Sequence, residues 1–189
     1  LLSSDYMQLS FLRHFKNYLP REGVELKNVS PELSGLHICG PNAQDLISNL
    51  TDRDMTTENF SFMSVDNINI GNNLQVTACR ISFTGECGYE LYTRTSDQAS
   101  LFECLIDEGK KLDIGLVGTR SLMHTRLEKS FMAWGHELSP DYSPIECELL
   151  KHIDLNKTDF VGKSAVKNNT LVREKYATFT VDAKDNAIW

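Results

Sequence analysis

Long apolar runs are missing from this chain. None of its hydrophobic stretches approaches the ~18 residues of a membrane-crossing helix, so no membrane partner is expected. Basic clusters are missing too. With 19 Lys and Arg against 26 Asp and Glu the formal net charge is −7. No run of cations is long enough to follow a phosphate backbone, which sets nucleic acid aside as a partner. No Gly-x-Gly-x-x-Gly occurs, so a dinucleotide held on a Rossmann turn is not expected within these residues. No Cys-x-x-Cys pair and no Cys/His ligand spacing is present, so no metal is expected. The five cysteines, Cys39, Cys79, Cys87, Cys104 and Cys147, are odd in number and widely spaced. They read as reduced thiols that serve as small apolar residues in a reducing compartment. Cys87 is the one expected to be exposed by a turn, with no His nearby to activate it. The N-terminus lacks a signal-peptide pattern. The chain opens on Leu1 rather than Met, which suggests a fragment or a processed start, and it stops at Trp189, a large apolar surface for a free end, so further C-terminal sequence is expected.

What is present is ordinary globular composition, 41% hydrophobic and 24% charged, in a length that suits one large domain or one and a half small ones. Phe11, Leu12, Phe15 and Leu19 recur at helical spacing, and Pro20 ends that helix. Alternation over Val24–Val29 predicts a strand with one wet face, and Leu36–Cys39 a second. Pro41 suits the first turn of a helix over Asn42–Leu50, with Leu46, Ile47 and Leu50 inward. Val65–Ile70 and Leu74–Ile81 read as strands joined by a hairpin turn at Gly71-Asn72-Asn73. Ser96-Asp97 caps a helix over Gln98–Lys111, whose core stripe is Leu101, Phe102, Leu105 and Ile106. A further helix is predicted over Gly118–Phe131, a loop over Ser139–Pro144, a short helix from Phe160 to Lys167, and a late strand over Tyr176–Val181. This order predicts an α+β fold with a mostly antiparallel sheet flanked by helices.

The most informative stretch is Arg80-Ile-Ser-Phe-Thr-Gly-Glu-Cys-Gly-Tyr-Glu-Leu-Tyr92. It reads as strand, turn, strand, with the Glu86 carboxylate at a glycine-bent tip among Phe83, Tyr89 and Tyr92. Aromatics that stack and a carboxylate that accepts N–H bonds suit a flat, nitrogen-rich ring. That reading requires Glu86 to sit beside a cleft rather than in open solvent.

At these residues the chain resembles the folate-binding family of the glycine-cleavage T-protein, whose signature is the Thr84-Gly85-Glu86 turn. Further segments agree in order: Arg126-Leu-Glu-Lys129 with Ala133-Trp-Gly135, Ser143-Pro-Ile-Glu146, Leu155-Asn-Lys157, Asp159-Phe-Val-Gly-Lys163 and the final Ala187-Ile-Trp189. Their spelling looks like the branch of mitochondrial dimethylglycine and sarcosine dehydrogenases. The resemblance implies a T-protein-like folate-binding fold in which residues 1–135 form the central α+β part. Residues 136–189 would form a loop, a short helix and the start of a C-terminal strand region, with the first part and the C-terminal barrel lying outside this sequence. It implies a mitochondrial matrix protein that binds tetrahydrofolate and takes up a one-carbon unit from an N-methyl amine as 5,10-methylene-tetrahydrofolate. FAD would belong to an N-terminal flavin domain of the same chain.

By the same resemblance Glu86 is the pterin-binding carboxylate, and Glu90, Leu91 and Tyr92 form a folate-contacting stretch, with Phe83 where the dehydrogenases place Tyr. Lys151 stands near a position where the family has an aromatic, and its cation suits a polyglutamate tail. Met123 stands where the T-protein has an Arg, which favours the dehydrogenase branch over a stand-alone aminomethyltransferase of glycine cleavage. Cys147-Glu148 replaces the usual Ala-Gly. No catalytic residue is assigned, because the family's catalytic aspartate belongs to the first part. Arg126 and Glu128 read as structural ion-pair or capping groups. A regulatory branch, the pyruvate dehydrogenase phosphatase regulatory subunit, shows how such a domain could persist without the reaction.

Overall fold

A computed structural model describes residues 2–3, 7–169 and 171–182. Its centre is a four-stranded antiparallel sheet of β1 (Leu33–Cys39), β2 (Val65–Ile70), β3 (Leu74–Cys79) and β4 (Gly88–Arg94), in the order β1-β4-β3-β2. One helix lies between β1 and β2, one precedes the strands in the chain and three follow them. These are α1 (Gln8–Tyr18), α2 (Ala43–Ser48), α3 (Gln98–Gly109), α4 (Thr119–Glu128) and α5 (Lys163–Asn168). The expected α+β class with an antiparallel sheet is what the chain adopts.

One face of the sheet makes the core. Period-two alternation turns Ile68 and Ile70, Val76 and Ala78, and Tyr89 and Leu91 to the same side, where Leu46 and Ile47 of α2 and Leu101 and Leu105 of α3 cover them. Met55 and Phe60, from the loop between α2 and β2, complete the layer. Each fully buried side chain of this size contributes about 1.5–3 kcal/mol relative to exposure. Arg80 fixes that loop: its guanidinium donates to the Phe60 carbonyl and, at 3.0 Å, to Thr57 Oγ1, and it lies 5.9 Å from the centre of the Tyr89 ring. The β2–β3 hairpin turns through Gly71 and Asn73, with Asn73 at φ +66°, a value that Asn tolerates better than other side chains.

Several expectations are corrected. Val24–Val29 is not a strand: alternation names a wet face but supplies no neighbour, and β1 is joined to β4 only from Leu33 onward. The segment is instead tied by Lys27 to Glu32 at 2.7 Å and by Asn28 to Gln8 at 3.2 Å. Tyr176–Val181 forms no strand, and Phe179 is exposed. Phe102 lies outside the α3 stripe, exposed rather than buried. The helix predicted to reach Lys111 ends at Gly109 and tightens into a 3-10 turn. The one predicted to reach Phe131 ends at Glu128, and Ser130 takes φ +59°. Cys87 is half-buried against the core rather than exposed, and all five thiols are free. Ala187-Ile-Trp189 lies outside the described residues.

Candidate functional site

The second face of the sheet carries a different set of side chains. Residues directly opposite in antiparallel strands project to the same side. The register therefore lines up His37 of β1, Glu90 of β4 and Cys79 of β3 in one row. Gly35, Tyr92 and Thr77 form the next. Tyr92 leans across β1 because Gly35 has no side chain: a Cβ there would sit 2.9 Å from Tyr92 Cε1. The Tyr92 hydroxyl donates to Glu90 Oε2 at 2.5 Å. Burial, followed by that bond to a carboxylate, pushes the Tyr92 hydroxyl far above its ordinary range. Burial holds the His37 imidazole below its ordinary value, against a smaller upward pull from the Glu90 charge. His37 Nε2 is buried without a hydrogen-bond partner. Burial, then the Glu90 charge, raises the Cys79 thiol, so it is not a prepared nucleophile.

The Thr84-Gly85-Glu86 turn is built by short-range bonds. Thr84, nearly inaccessible, exchanges a hydroxyl contact with Ser82 at 2.9 Å, and its backbone N–H donates to Ser82 Oγ. Gly85 takes φ +75°, and Lys129 lies against it: a Cβ at Gly85 would come within 2.4 Å of Lys129 Cγ. Lys129 Nζ stands 3.4 Å from Glu86 Oε1, with the Glu86 side chain 51% exposed. Two motifs far apart in the chain thus meet in one contact. The Glu86 carboxylate at the glycine-bent tip is half-exposed, and Lys129 is its ion-pair partner.

The Arg126…Gly135 motif is a buried clasp. Arg126, 2% exposed, donates through Nη1 to the Phe131 carbonyl at 2.8 Å and to Glu137 Oε2 at 2.6 Å. The Ala133 N–H donates to the same Glu137 oxygen at 3.0 Å. Arg126 is structural, as expected, but its acid is Glu137, whereas Glu128 is exposed. The Ser143…Glu146 motif is a second clasp. Glu146, 3% exposed, accepts from the Ser143 N–H and hydroxyl at 2.9 and 2.8 Å and from Arg173 Nε at 3.1 Å. The bond from Arg173, then those from Ser143, hold its carboxyl far below the ordinary range. A cavity of about 560 Å³ lies here, lined by residues that include Tyr142, Ile145, Leu150, Val166 and Leu171.

Of the residues named from sequence, Glu90 and Tyr92 are brought together. Leu91 lies between them on the opposite face, wholly buried in the core. Phe83 is half-buried beside the Thr84 turn, and Lys151 is exposed in the 3-10 turn Leu150–His152. His37, Glu137 and the partner role of Lys129 were not found from sequence. A cross-strand neighbour cannot be named before the register is known. Ser143-x-x-Glu146 has the spacing of a capping box, a signal that would have given Glu146 its role. Among the described residues no group of three or more His, Cys, Asp or Glu side chains could hold a metal ion, and no helix is long and apolar enough to cross a membrane.

Comparison with known proteins bears on this arrangement. Residues 1–157 match the family described as "GCVT N-terminal domain". The chain is 38% identical to mouse (Mus musculus) mitochondrial dimethylglycine dehydrogenase and 36% identical to the human (Homo sapiens) protein, in each case over 100% of this chain and 23% of the relative. It is 36% identical to an aminomethyltransferase of Geobacillus sp. (strain WCH70) over 76% of this chain and 39% of that one. A heterotetrameric sarcosine oxidase from Corynebacterium sp. U-96 is 21% identical, with TM-score 0.49 over 58% of this chain and 54% of that one, a likeness too slight to bear on the fold. The chain spans less than a quarter of the length of the dehydrogenases it matches. With an antiparallel α+β core, the ordered motifs and a family match over most of its length, the chain belongs to the GCVT N-terminal domain family, as a T-protein-like domain related to dimethylglycine dehydrogenase and aminomethyltransferase.

Proposed function

We propose that this chain is the tetrahydrofolate-binding portion of a dimethylglycine or sarcosine dehydrogenase-like protein, in which the one-carbon unit of an N-methyl amine is captured as 5,10-methylene-tetrahydrofolate. The observation that carries this reading is the Glu90–Tyr92 pair. It stands on the sheet face opposite the core, in a chain similar over its whole length to dimethylglycine dehydrogenases. A half-buried carboxylate accepts N–H groups strongly because little water competes for it. The Tyr92 ring, laid across Gly35, is a flat surface on which a heterocycle can stack. Those two groups fit a reduced pterin. By the resemblance, Phe83 would add apolar surface, Glu86 a second carboxylate and Lys151 a cation for an acidic tail. No residue of this chain is assigned a catalytic role; its part is to hold and orient, which can contribute on the order of 7–11 kcal/mol to a two-body step when geometry is near ideal. As the resemblance implies, oxidation of the amine with FAD would fall to an N-terminal flavin domain outside this sequence and the location would be the mitochondrial matrix, in keeping with relatives named as mitochondrial.

The test is thermal protection. Tetrahydrofolate at one hundred times its dissociation constant should stabilise the chain by about 2.7 kcal/mol, and Glu90→Gln or Tyr92→Ala should remove most of that. Equal melting temperatures with and without saturating ligand would end the proposal. A second reading, a non-catalytic regulatory domain of the same family, is favoured by the exposure of Glu86 and its pairing with Lys129. It predicts no folate protection together with a stable protein partner captured from mitochondrial extract.

A further inference from the structure

His37 has no place in the reading above, yet it is the cross-strand neighbour of Glu90. Its ring is half-buried, and Nε2 is sealed from solvent with no partner. Paired positions in an antiparallel sheet bring Cβ atoms to about 4.5–5.5 Å of each other, so the imidazole and the carboxylate share one small volume. Glu90 in turn receives the Tyr92 hydroxyl. Titratable groups beside His37 on this face are Cys39 from β1, Glu90 and Tyr92 from β4 and Cys79 from β3. Tyr92 and Cys79 are both held protonated around neutral pH.

We infer that His37 is a positioning residue that decides which partner the Glu90 carboxylate keeps. As a neutral ring it leaves Glu90 to Tyr92 and to an incoming N–H donor. As an imidazolium it gains a donor and a charge next to an acid, and it takes a lone pair of Glu90 for itself. Desolvation opposes that charge, so the change comes on the acid side of the ordinary histidine range. Ligand binding on this face is then weakened by acidification through one ring that need not touch the ligand. The inference deepens the folate reading and rests on it for the ligand, but the exchange of Glu90 partners can be observed without any ligand.

Two measurements separate the two ideas. In the first, the purified protein carries ¹³C labels in its histidine and tyrosine rings and is titrated by NMR. His37 should titrate below the ordinary value, Tyr92 ring signals should move with the same midpoint, and Glu90→Gln should lower the His37 midpoint further while uncoupling Tyr92. Tyr92 signals that ignore the His37 titration would overturn the inference. In the second, tetrahydrofolate affinity is measured anaerobically between about pH 7.5 and about pH 5.5 in the wild type and in His37→Gln. A few-fold loss in the wild type against none in the variant is expected, and it stays below about tenfold at the acid end because the His37 midpoint lies under the ordinary histidine value. Identical pH profiles would overturn the inference. Absence of tetrahydrofolate binding at every pH would overturn the folate reading, and the NMR result would then decide the role of His37 by itself. His37→Asn, smaller and also neutral, is the second variant if His37→Gln fails to fold.

Discussion

Lys129 lies across Gly85 so closely that a methyl group on the glycine would meet the lysine stem at 2.4 Å, and the same lysine places its ammonium 3.4 Å from Glu86. The signature turn is therefore held from outside by the end of α4 (Thr119–Glu128), and its glycine is required twice, for φ +75° and for the absent Cβ. Gly85→Ala should cost about 1–3 kcal/mol, the usual range for a strained backbone position, read from the urea midpoint. Adding Lys129→Ala should restore part of the loss, since it removes the steric share and leaves the dihedral share. No recovery in the double variant would mean that Lys129 yields freely and only φ matters. Glu86→Gln by itself should change stability by less than about 1 kcal/mol, because the pair is exposed.

The Arg126 clasp makes a sharper prediction. Arg126 is buried and shares Glu137 with the Ala133 N–H, so Glu137→Ala leaves a buried cation without its acid. Such breaks cost about 3–5 kcal/mol, whereas Glu128→Ala, at an exposed position, should stay within about 0.5 kcal/mol. Chemical denaturation of both variants checks this, and comparable losses would show that the assignment of Glu137 as partner is mistaken.

Acid should unfasten the Ser143–Glu146–Arg173 clasp. The folded-state carboxyl of Glu146 lies below its unfolded value of 4.5. Its stabilisation is therefore fully present above that value and disappears as pH falls through the folded one. Stability of the wild type should drop more steeply below about pH 4.5 than that of Glu146→Gln, which has no proton to gain there. Parallel slopes in the two proteins would refute the linkage.

Leu91 and Tyr92 are adjacent and should behave oppositely. Leu91→Ala opens a cavity in the core and should cost about 2–5 kcal/mol. Tyr92→Phe removes one hydrogen bond on the other face, for about 0.5–1.5 kcal/mol, and, since it keeps the ring, should leave most of the tetrahydrofolate protection that Tyr92→Ala removes. The reverse ranking would place Leu91 in the site and Tyr92 in the scaffold.

Much of the scaffold was legible before any coordinates. Alternation in Val65–Ile70 and Leu74–Cys79, together with the glycine and asparagines between them, is enough to write the hairpin, because period two and a turn are local properties. Leu46, Ile47, Leu101 and Leu105 were identified as core for the same reason. Val24–Val29 and Tyr176–Val181 carried a similar pattern and failed, since a strand exists only where a neighbour offers its N–H and C=O groups. Phe102 failed because the stripe of a helix that packs on one sheet face is narrower than its apolar content.

The site divides along the same line. The residue types of the Thr84–Tyr92 stretch, their order and the family they belong to are properties of the chain and were read from it. Which carboxylate is sheltered was decided by register and parity: Glu90 falls on a sheet face between His37 and Cys79, while Glu86 falls at an open tip where water and Lys129 compete for it. Spacing along a chain determines which side chains share a strand face. Only the alignment of separate strands determines what stands beside them, and the strength of a charge depends on those neighbours and on the water they exclude.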